Sequence, residues 1–328
     1  MRVVVFGCGS IGSRHAKNIA DIGGHELLLY DPDTHRANQL GSEIGAQVTR
    51  RIDEAMASSP DAALICTPPD THVEVTRQAL ESGAHCFVEK PLATDYQQAL
   101  EITELAEQRG LTLMVGFNLR FHPGLIKLQQ LVADCVLGRT MMVRAEYGQY
   151  LPDWRPNTDY RNNYITGNES GGGIIREESH EVDYVQWLAG AIDDVYVAAG
   201  KLSDLDMTAE DSALMVMRLS SGALAEIHVD CVQQGYSRRC KVIGTKGTAE
   251  WVYESGVTLT RGLEDEDVET FDISPDTNTM YLSEIAHFLD CCEGNAAPPV
   301  DGRSALLTML VIDSARLSAS SRKAEPIQ

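Results

Sequence analysis

Apolar positions follow two different rhythms along the chain. From Arg2 to about Phe117, short apolar runs at Val3–Phe6, Glu26–Tyr30, Ala62–Cys66, His85–Val88 and Thr112–Val115 are each separated by a helix-length segment. This alternation predicts a parallel, doubly wound sheet. From about Arg139 the runs lengthen and alternate, at Met141–Tyr147, Ser212–Leu219, Ala223–Val229, Arg239–Ile243 and Thr248–Val252, with few helices between them. That pattern predicts a largely antiparallel sheet. Two later segments, Tyr281–Cys292 and Ala305–Ser318, carry apolar residues at three- and four-residue spacing and are expected to pack on one face of that second sheet. With no internal repeat or low-complexity stretch, the change of rhythm marks two domains, an α/β domain over 1–120 and an α+β domain over 121–328.

Composition agrees with this division and removes several function classes. A chain of 328 residues with 43% apolar content can fill two cores. The formal charge of -21 repels polyanions, so neither nucleic acid nor an anionic membrane is expected as a partner; a well-solvated surface is the ordinary reading. No stretch approaches the roughly 18 apolar residues of a membrane span, and a strand starting at Arg2 leaves no room for a signal peptide, which implies a cytoplasmic protein. The eight cysteines show neither a disulfide framework nor metal-ligand spacing; they read as reduced, mostly buried side chains, with no metal expected. The triplet Asn168-Glu169-Ser170 fits a glycosylation acceptor but carries no meaning in a cytoplasmic chain.

Candidate chemistry begins directly after the first strand, at Gly7-Cys8-Gly9-Ser10-Ile11-Gly12, which opens a helical segment reaching about Ile22. In that setting Gly7 permits a tight turn, Gly9 lets backbone approach a pyrophosphate, and Gly12 lets helix and strand pack closely, with phosphates at the helix N-terminus. Asp31 ends the second strand, roughly 20 residues beyond the fingerprint, where a carboxylate accepts both ribose hydroxyls. This favours NAD, because a 2′-phosphate would meet a like charge unless a cation answers it. Arg36 is the nearby candidate cation and reads as capping or decorating the next helix.

Two further motifs stand at strand ends, where ligands bind open sheets: Cys66-Thr67-Pro68-Pro69-Asp70-Thr71-His72 and Glu89-Lys90-Pro91. A lysine facing a cofactor there can take and give a proton if burial and the positive nicotinamide lower its pKa from ~10.4 towards 7–8. An isolated lysine would read as a solvated surface cation.

These motifs, with Gly116-Phe117-Asn118-Leu119-Arg120-Phe121-His122-Pro123, Ser170-Gly171-Gly172-Gly173, Ser179-His180-Glu181-Val182-Asp183, Gly222-Ala223-Leu224-Ala225 and Gly244-Thr245-Lys246-Gly247-Thr248, form an ordered series over nearly the whole chain. The series resembles the glucose-fructose oxidoreductase / inositol dehydrogenase / rhizopine catabolism (Gfo/Idh/MocA) family. The resemblance implies a Rossmann domain joined to an open-faced antiparallel sheet through which copies associate, as a homodimer or homotetramer. It implies a cofactor site of Gly7, Gly9, Ser10, Ile11, Gly12, Asp31, Thr67, Pro68, His72, Glu89, Lys90 and Asn118. Lys90 is expected to act with His180, on a helix from about Ile174 to Leu188 where Asp183 and Tyr184 share its face and Glu177 lies one turn earlier. Val182, Val185, Leu188 and Ala189 would face the core. A carboxylate beside His180 would fix its tautomer.

The commonest family pattern has an aspartate four residues before the histidine, and that position holds Arg176. The run resembles a subgroup in which Glu177 replaces the aspartate, while Arg176 could mark an anionic sugar. The segment Tyr150-Leu151-Pro152-Asp153-Trp154-Arg155-Pro156 through Asp159-Tyr160-Arg161-Asn162-Asn163-Tyr164 also resembles that subgroup. With Arg120, Glu177 and Asp183, its Trp154, Arg155, Tyr160 and Arg161 suit a hydroxylated or carboxylated ligand; an ordinary interface loop is the alternative. Three classes follow: an NAD-dependent dehydrogenase or reductase of a sugar, inositol, sugar acid or nucleotide sugar; a cofactor-retaining enzyme that oxidises and re-reduces a sugar; and a non-catalytic NAD sensor, against which the presence of both Lys90 and His180 argues.

Overall fold

The computed structural model describes residues 1–156, 158–167, 172–262, 267–273 and 276–327. The triplet Asn168-Glu169-Ser170 and the Ser170-Gly171 half of the glycine run lie outside the described residues.

The chain opens as β1 (Arg2–Phe6), α1 (Ser10–Ile22), β2 (Glu26–Tyr30), α2 (Thr34–Ile44), β3 (Gln47–Val48), α3 (Ile52–Ala57), β4 (Ala62–Ile65), α4 (His72–Ser82), β5 (His85–Glu89), α5 (Tyr96–Arg109) and β6 (Leu113–Gly116). These strands form one parallel sheet in the order β3-β2-β1-β4-β5-β6. Val3–Phe6 and Ala62–Ile65 are fully buried, as strands covered on both faces must be. The order reverses between β1 and β4, and at such a switch point the strand ends diverge to leave a crevice.

The chain continues through α6 (Pro123–Ala133), β7 (Thr140–Gly148), α7 (Ile174–Glu177), α8 (Ser179–Ala189), β8 (Ile192–Gly200), β9 (Ser212–Leu219), β10 (Leu224–Asp230), β11 (Ser237–Gly244), β12 (Thr248–Val252), β13 (Gly256–Thr260), β14 (Val268–Asp272), α9 (Thr277–Cys292), α10 (Gly302–Ser321) and β15 (Glu325–Pro326). The second sheet runs β14-β13-β12-β11-β7-β10-β9-β8-β15 and is antiparallel except where β10 pairs with β7. Alternate residues such as Val195, Val197, Met215, Met217, Ala225 and Ile227 are buried, and α6, α7 and α8 lie against the sheet. The residues between them point the other way, where Tyr196, Leu214, Val216 and Leu224 stay 44–58% exposed. Among the described residues, one face of this sheet is therefore open. Pattern reading missed β8, β13, β14 and β15. The exposed Val268–Asp272 run carries almost no apolar alternation to detect.

The chain divides into two compact units, Met1–Phe121 with Thr277–Leu307, and His122–Asp276 with Thr308–Gln328. The expectation that both late helices pack on the second sheet fails for α9. Its Ile285, Phe288 and Leu289 join the core cluster of Val3, Val5 and Leu29 in the first unit, and Asn278 bonds Asn18 of α1 at 2.8 Å. An apolar stripe records that a helix is covered but not by which neighbour. The end of α10 does meet the second sheet, where Ser318 Oγ accepts the Val197 N–H at 2.9 Å.

His122 caps α6 by accepting the Gly124 N–H at 3.1 Å, and its ring packs edge-on against Trp251. It is 1% exposed, and burial pushes its pKa down from 6.5 to about 4. As pH falls the unfolded chain takes up this proton first. Between about pH 6.5 and 4 the group should therefore cost about 3 kcal/mol of stability, with no further loss below. Urea titrations across that range should show a shallower slope for His122→Asn, which keeps a capping acceptor. An unchanged slope overturns the assignment.

Candidate active site

The first unit carries a dinucleotide cradle at its strand ends. Gly7 turns the chain with φ +90°, and a Cβ there would stand 2.6 Å from Cys66 O. A Cβ on Gly12 would stand 1.9 Å from Gly7 O, so α1 can lie this close to β1 only without a side chain. Gly9 faces open space, where a Cβ would meet nothing within 4 Å. Helix α1 starts at Ser10 with no side-chain cap and no acidic residue in its first turn. Its first N–H groups and positive dipole end are thus left for an anion, and the cradle fits a pyrophosphate. Cys8, inside the loop, is no nucleophile: burial, then Asp31, pushes its thiol up to about 12.

Asp31 is 3% exposed at the end of β2. Its Oδ2 accepts the Cys8 N–H at 2.7 Å and its Oδ1 the Asp33 N–H at 2.8 Å, which ties the carboxylate to the glycine loop. Arg36 does more than decorate α2, since Nη1 reaches Asp31 Oδ2 at 3.4 Å. The helix is capped instead by Asp33, which accepts from His35 N and Arg36 N.

Thr67, Pro68 and Lys90 stand in the loops after β4 and β5, Thr67 and Lys90 half-buried and Pro68 exposed. His72 was expected to face the cofactor, and this is corrected. Its ring is 1% exposed, with Nδ1 2.8 Å from Pro91 O and Nε2 2.9 Å from Thr67 O. Backbone carbonyls lie against both ring nitrogens, and because the neutral ring donates from only one of them, a single hydrogen bond holds His72 packed between the Lys90 loop and the Thr67 loop. Burial holds its pKa below the ordinary value. Glu89 likewise points back into the unit, its Oε1 2.7 Å from Nε2 of the fully buried His15. Fully buried Glu284 of α9 lies near it, with its carboxyl pushed well above the usual range by burial and then by Glu89. Sequence reasoning missed His15 and Glu284, although a titratable residue on an otherwise apolar helix stripe was the available signal. Asn118 is 7% exposed and donates to Met280 Sδ at 3.3 Å, which engages its amide nitrogen in holding α9. Arg120 follows, half-buried on the same short turn.

In the second unit the expected single helix is two. Glu178, at φ -95° and ψ 45°, breaks α7 from α8, so the one-turn spacing of Glu177 to His180 does not hold. Gly173 precedes α7 with φ +106°, where a Cβ would strike the Glu210 carboxylate, and Glu210 O accepts the Ile174 N–H at 3.1 Å. His180 is the second residue of α8 and is 8% exposed, with Asp183 at 2%. Val182, Tyr184, Val185 and Leu188 are buried, while Ala189 is half-buried. Arg176 lies 3.6 Å from Asp313. Arg238 of β11, absent from the sequence reading, bonds Glu178 and Glu181 on either side of His180.

The loop after β7 spends some of its polar groups on itself and on the loop between β8 and β9. Trp154 Nε1 donates to Gln149 O at 3.0 Å, Tyr160 Oη accepts the Asp206 N–H at 3.0 Å, and Arg161 forks onto Asp159 at 2.7–2.8 Å. These three residues, expected to meet substrate, each spend part of their hydrogen-bonding capacity on the protein, while Trp154 and Tyr160 also line a small pocket. Arg155 is exposed beside them, on the rim of a small pocket with Trp154, Tyr160 and Asn163.

A family model described as "Oxidoreductase family, NAD-binding Rossmann fold" matches residues 1–117, and one described as "GFO/IDH/MocA C-terminal domain" matches residues 125–250. The chain belongs to the Gfo/Idh/MocA family and is an NAD-dependent oxidoreductase of the class acting on CH–OH groups. Similar proteins include an inositol 2-dehydrogenase of Paracoccus denitrificans, 30% identical over 94% of this chain and 91% of its own length. A myo-inositol 2-dehydrogenase of Thermotoga maritima is 26% identical over 100% and 99%. The crystal structure of a putative myo-inositol dehydrogenase from Sinorhizobium meliloti 1021 superposes with a TM-score of 0.85 at 25% identity, covering 100% of both chains.

Replacing Asp31 with Ser should raise the Kd for NAD by roughly 10- to 100-fold, the worth of a hydrogen bond to a charged group. It should tighten NADP, because Arg36 then lacks its counter-charge and the like-charge repulsion is gone. Fluorescence titration with both cofactors checks this, and an unaltered preference removes Asp31 from the cofactor site.

Proposed function

We propose that this protein moves a hydride between nicotinamide and a carbinol or carbonyl carbon of a sugar-like polyol, with inositols first among the substrates to test. The observation that carries the reading is Lys90, held at the end of β5 by the His72 clip beside a glycine cradle fit for a pyrophosphate. The names of the inositol dehydrogenases that align over most of the chain support the substrate class.

Gly7, Gly9, Ser10, Ile11 and Gly12 would hold the pyrophosphate, Asp31 the adenosine ribose, and Thr67 and Pro68 the nicotinamide side. NAD, when bound, supplies the hydride acceptor. Lys90 and His180 handle the proton. As the C–H bond gives up its hydride and C=O forms, the hydroxyl proton must pass to a base within ~2.6–3.2 Å, directly or through one water. Lys90 takes that proton and His180 polarises or relays it, while Asp183, buried one turn further along α8, orients the histidine. Eight unpaired thiols, six of them buried, suit a reducing cytoplasm.

NADH formation over a panel of inositols, sugars, sugar acids and nucleotide sugars identifies the substrate. On it, Lys90→Ala and His180→Ala should each lower kcat by ~10²–10⁴-fold with NAD binding nearly intact, and the double variant should cost less than the product of the two. Near-normal turnover in either single variant shows the chemistry assigned to the wrong residue.

We also infer that the open sheet face, with Tyr196, Leu214, Val216 and Leu224 adjacent on β8, β9 and β10, is covered by a second copy in a homodimer or homotetramer. Light scattering at micromolar concentration should return a multiple of 35.9 kDa. A monomeric mass counts against it.

A further inference from the structure

His180 stands at a helix start that has no cap of its own. Glu178 occupies the capping position of α8 and makes no side-chain bond to the helix N–H groups, and the residue before it ends α7. What reaches this turn comes from the sheet. Arg238 of β11 is cross-strand partner to Tyr147 of β7, and its guanidinium lies 4.3 Å over the Tyr147 ring. From there Nε donates to Glu181 Oε1 at 2.9 Å and Nη2 donates to Glu178. The three side chains are nearly closed to solvent, at 10% exposure for Arg238, 7% for Glu178 and 0% for Glu181. Tyr184 Oη adds a longer contact to Glu181 Oε1 at 3.4 Å.

The spacing gives this cluster its meaning. Glu178 lies two residues before His180 and Glu181 one after it, so one planar, permanently charged fork grips the turn on both sides of the histidine. Because the guanidinium is itself pinned on Tyr147, the turn can neither slide along the sheet nor rotate without breaking a buried charge pair. The geometry points to Arg238 as a positioning residue: it orients His180 for proton handling by fixing the first turn of α8 to β11, without touching substrate or cofactor. This rests on the reading of His180 given under Proposed function.

Removing only the arginine leaves two carboxylates buried without a counter-charge, which can unfold the unit. The test therefore compares Arg238→Met and Arg238→Lys with a charge-cleared variant, Arg238→Met with Glu178→Gln and Glu181→Gln, each also built in a His180→Ala background. Folding is followed by thermal melting, and kcat, KM and NAD affinity are measured on the substrate found by the panel. The expected result is a charge-cleared protein that melts near the wild type yet loses about 10²-fold in kcat, the scale of a misplacement of about 1 Å. KM and NAD affinity should be little changed, with partial recovery in Arg238→Lys. In the His180→Ala background the same substitutions should lower kcat no further. Wild-type kcat in the folded charge-cleared variant overturns the proposal, as does a loss of equal size with and without His180. Full turnover in His180→Ala alone overturns the histidine reading first, and this proposal with it.

Discussion

The first unit depends on how closely a helix can approach a strand. The Gly7 carbonyl stands where the first side-chain carbon of Gly12 would be, so α1 and β1 touch backbone to backbone. That contact aims the start of α1 at the crevice between β1 and β4, where the strand order reverses. The remaining parts of the cradle are then set by strand length. β2 delivers Asp31 to the glycine loop, β4 delivers Thr67 and β5 delivers Lys90. The buried His72 ring sits between the last two loops, against Pro91 O and Thr67 O, and so sets their spacing.

The second unit solves a different problem. A wide antiparallel sheet has two faces, and α6, α7 and α8 cover one of them. The covered face carries the catalytic candidate, at the head of α8, and the open face carries the apolar row. The proton handling and the association proposed above would lie on opposite sides of one layer. Buried ion pairs are weak evidence for stability, but they do specify geometry where a hydrophobic contact would tolerate sliding.

Much of this was legible in the sequence because it is written in short-range periodicity. Fully apolar strand runs announced the parallel sheet, and the glycines of the first loop announced a cradle whose reasons are steric and local. Lys90 and His180 could be singled out from motifs. The rest lies in contacts between residues far apart in the chain. Nothing local in Tyr281–Cys292 says that Ile285, Phe288 and Leu289 belong with Val3 and Val5. The break at Glu178 was invisible because helical spacing continues across it, and Arg238 looked like any charged residue of an alternating strand. The donors of Trp154, Tyr160 and Arg161 suggested ligand contacts, and motifs do not show that part of this capacity goes to the protein itself.

The membership of α9 in the first unit has a consequence for how the protein is made. Synthesis delivers residues 1–121 early, but the helix that completes their core follows only after eight of the nine strands of the second sheet. Until then the side of α1 carrying Ala16 and Ile19 lacks its cover, and the nascent domain presents the kind of apolar surface that chaperones and proteases recognise. A product that stops short of Thr277 keeps the complete glycine motif and still cannot close the core behind it. The order of translation thus makes a finished first unit a signature of a chain that has passed the whole of α9.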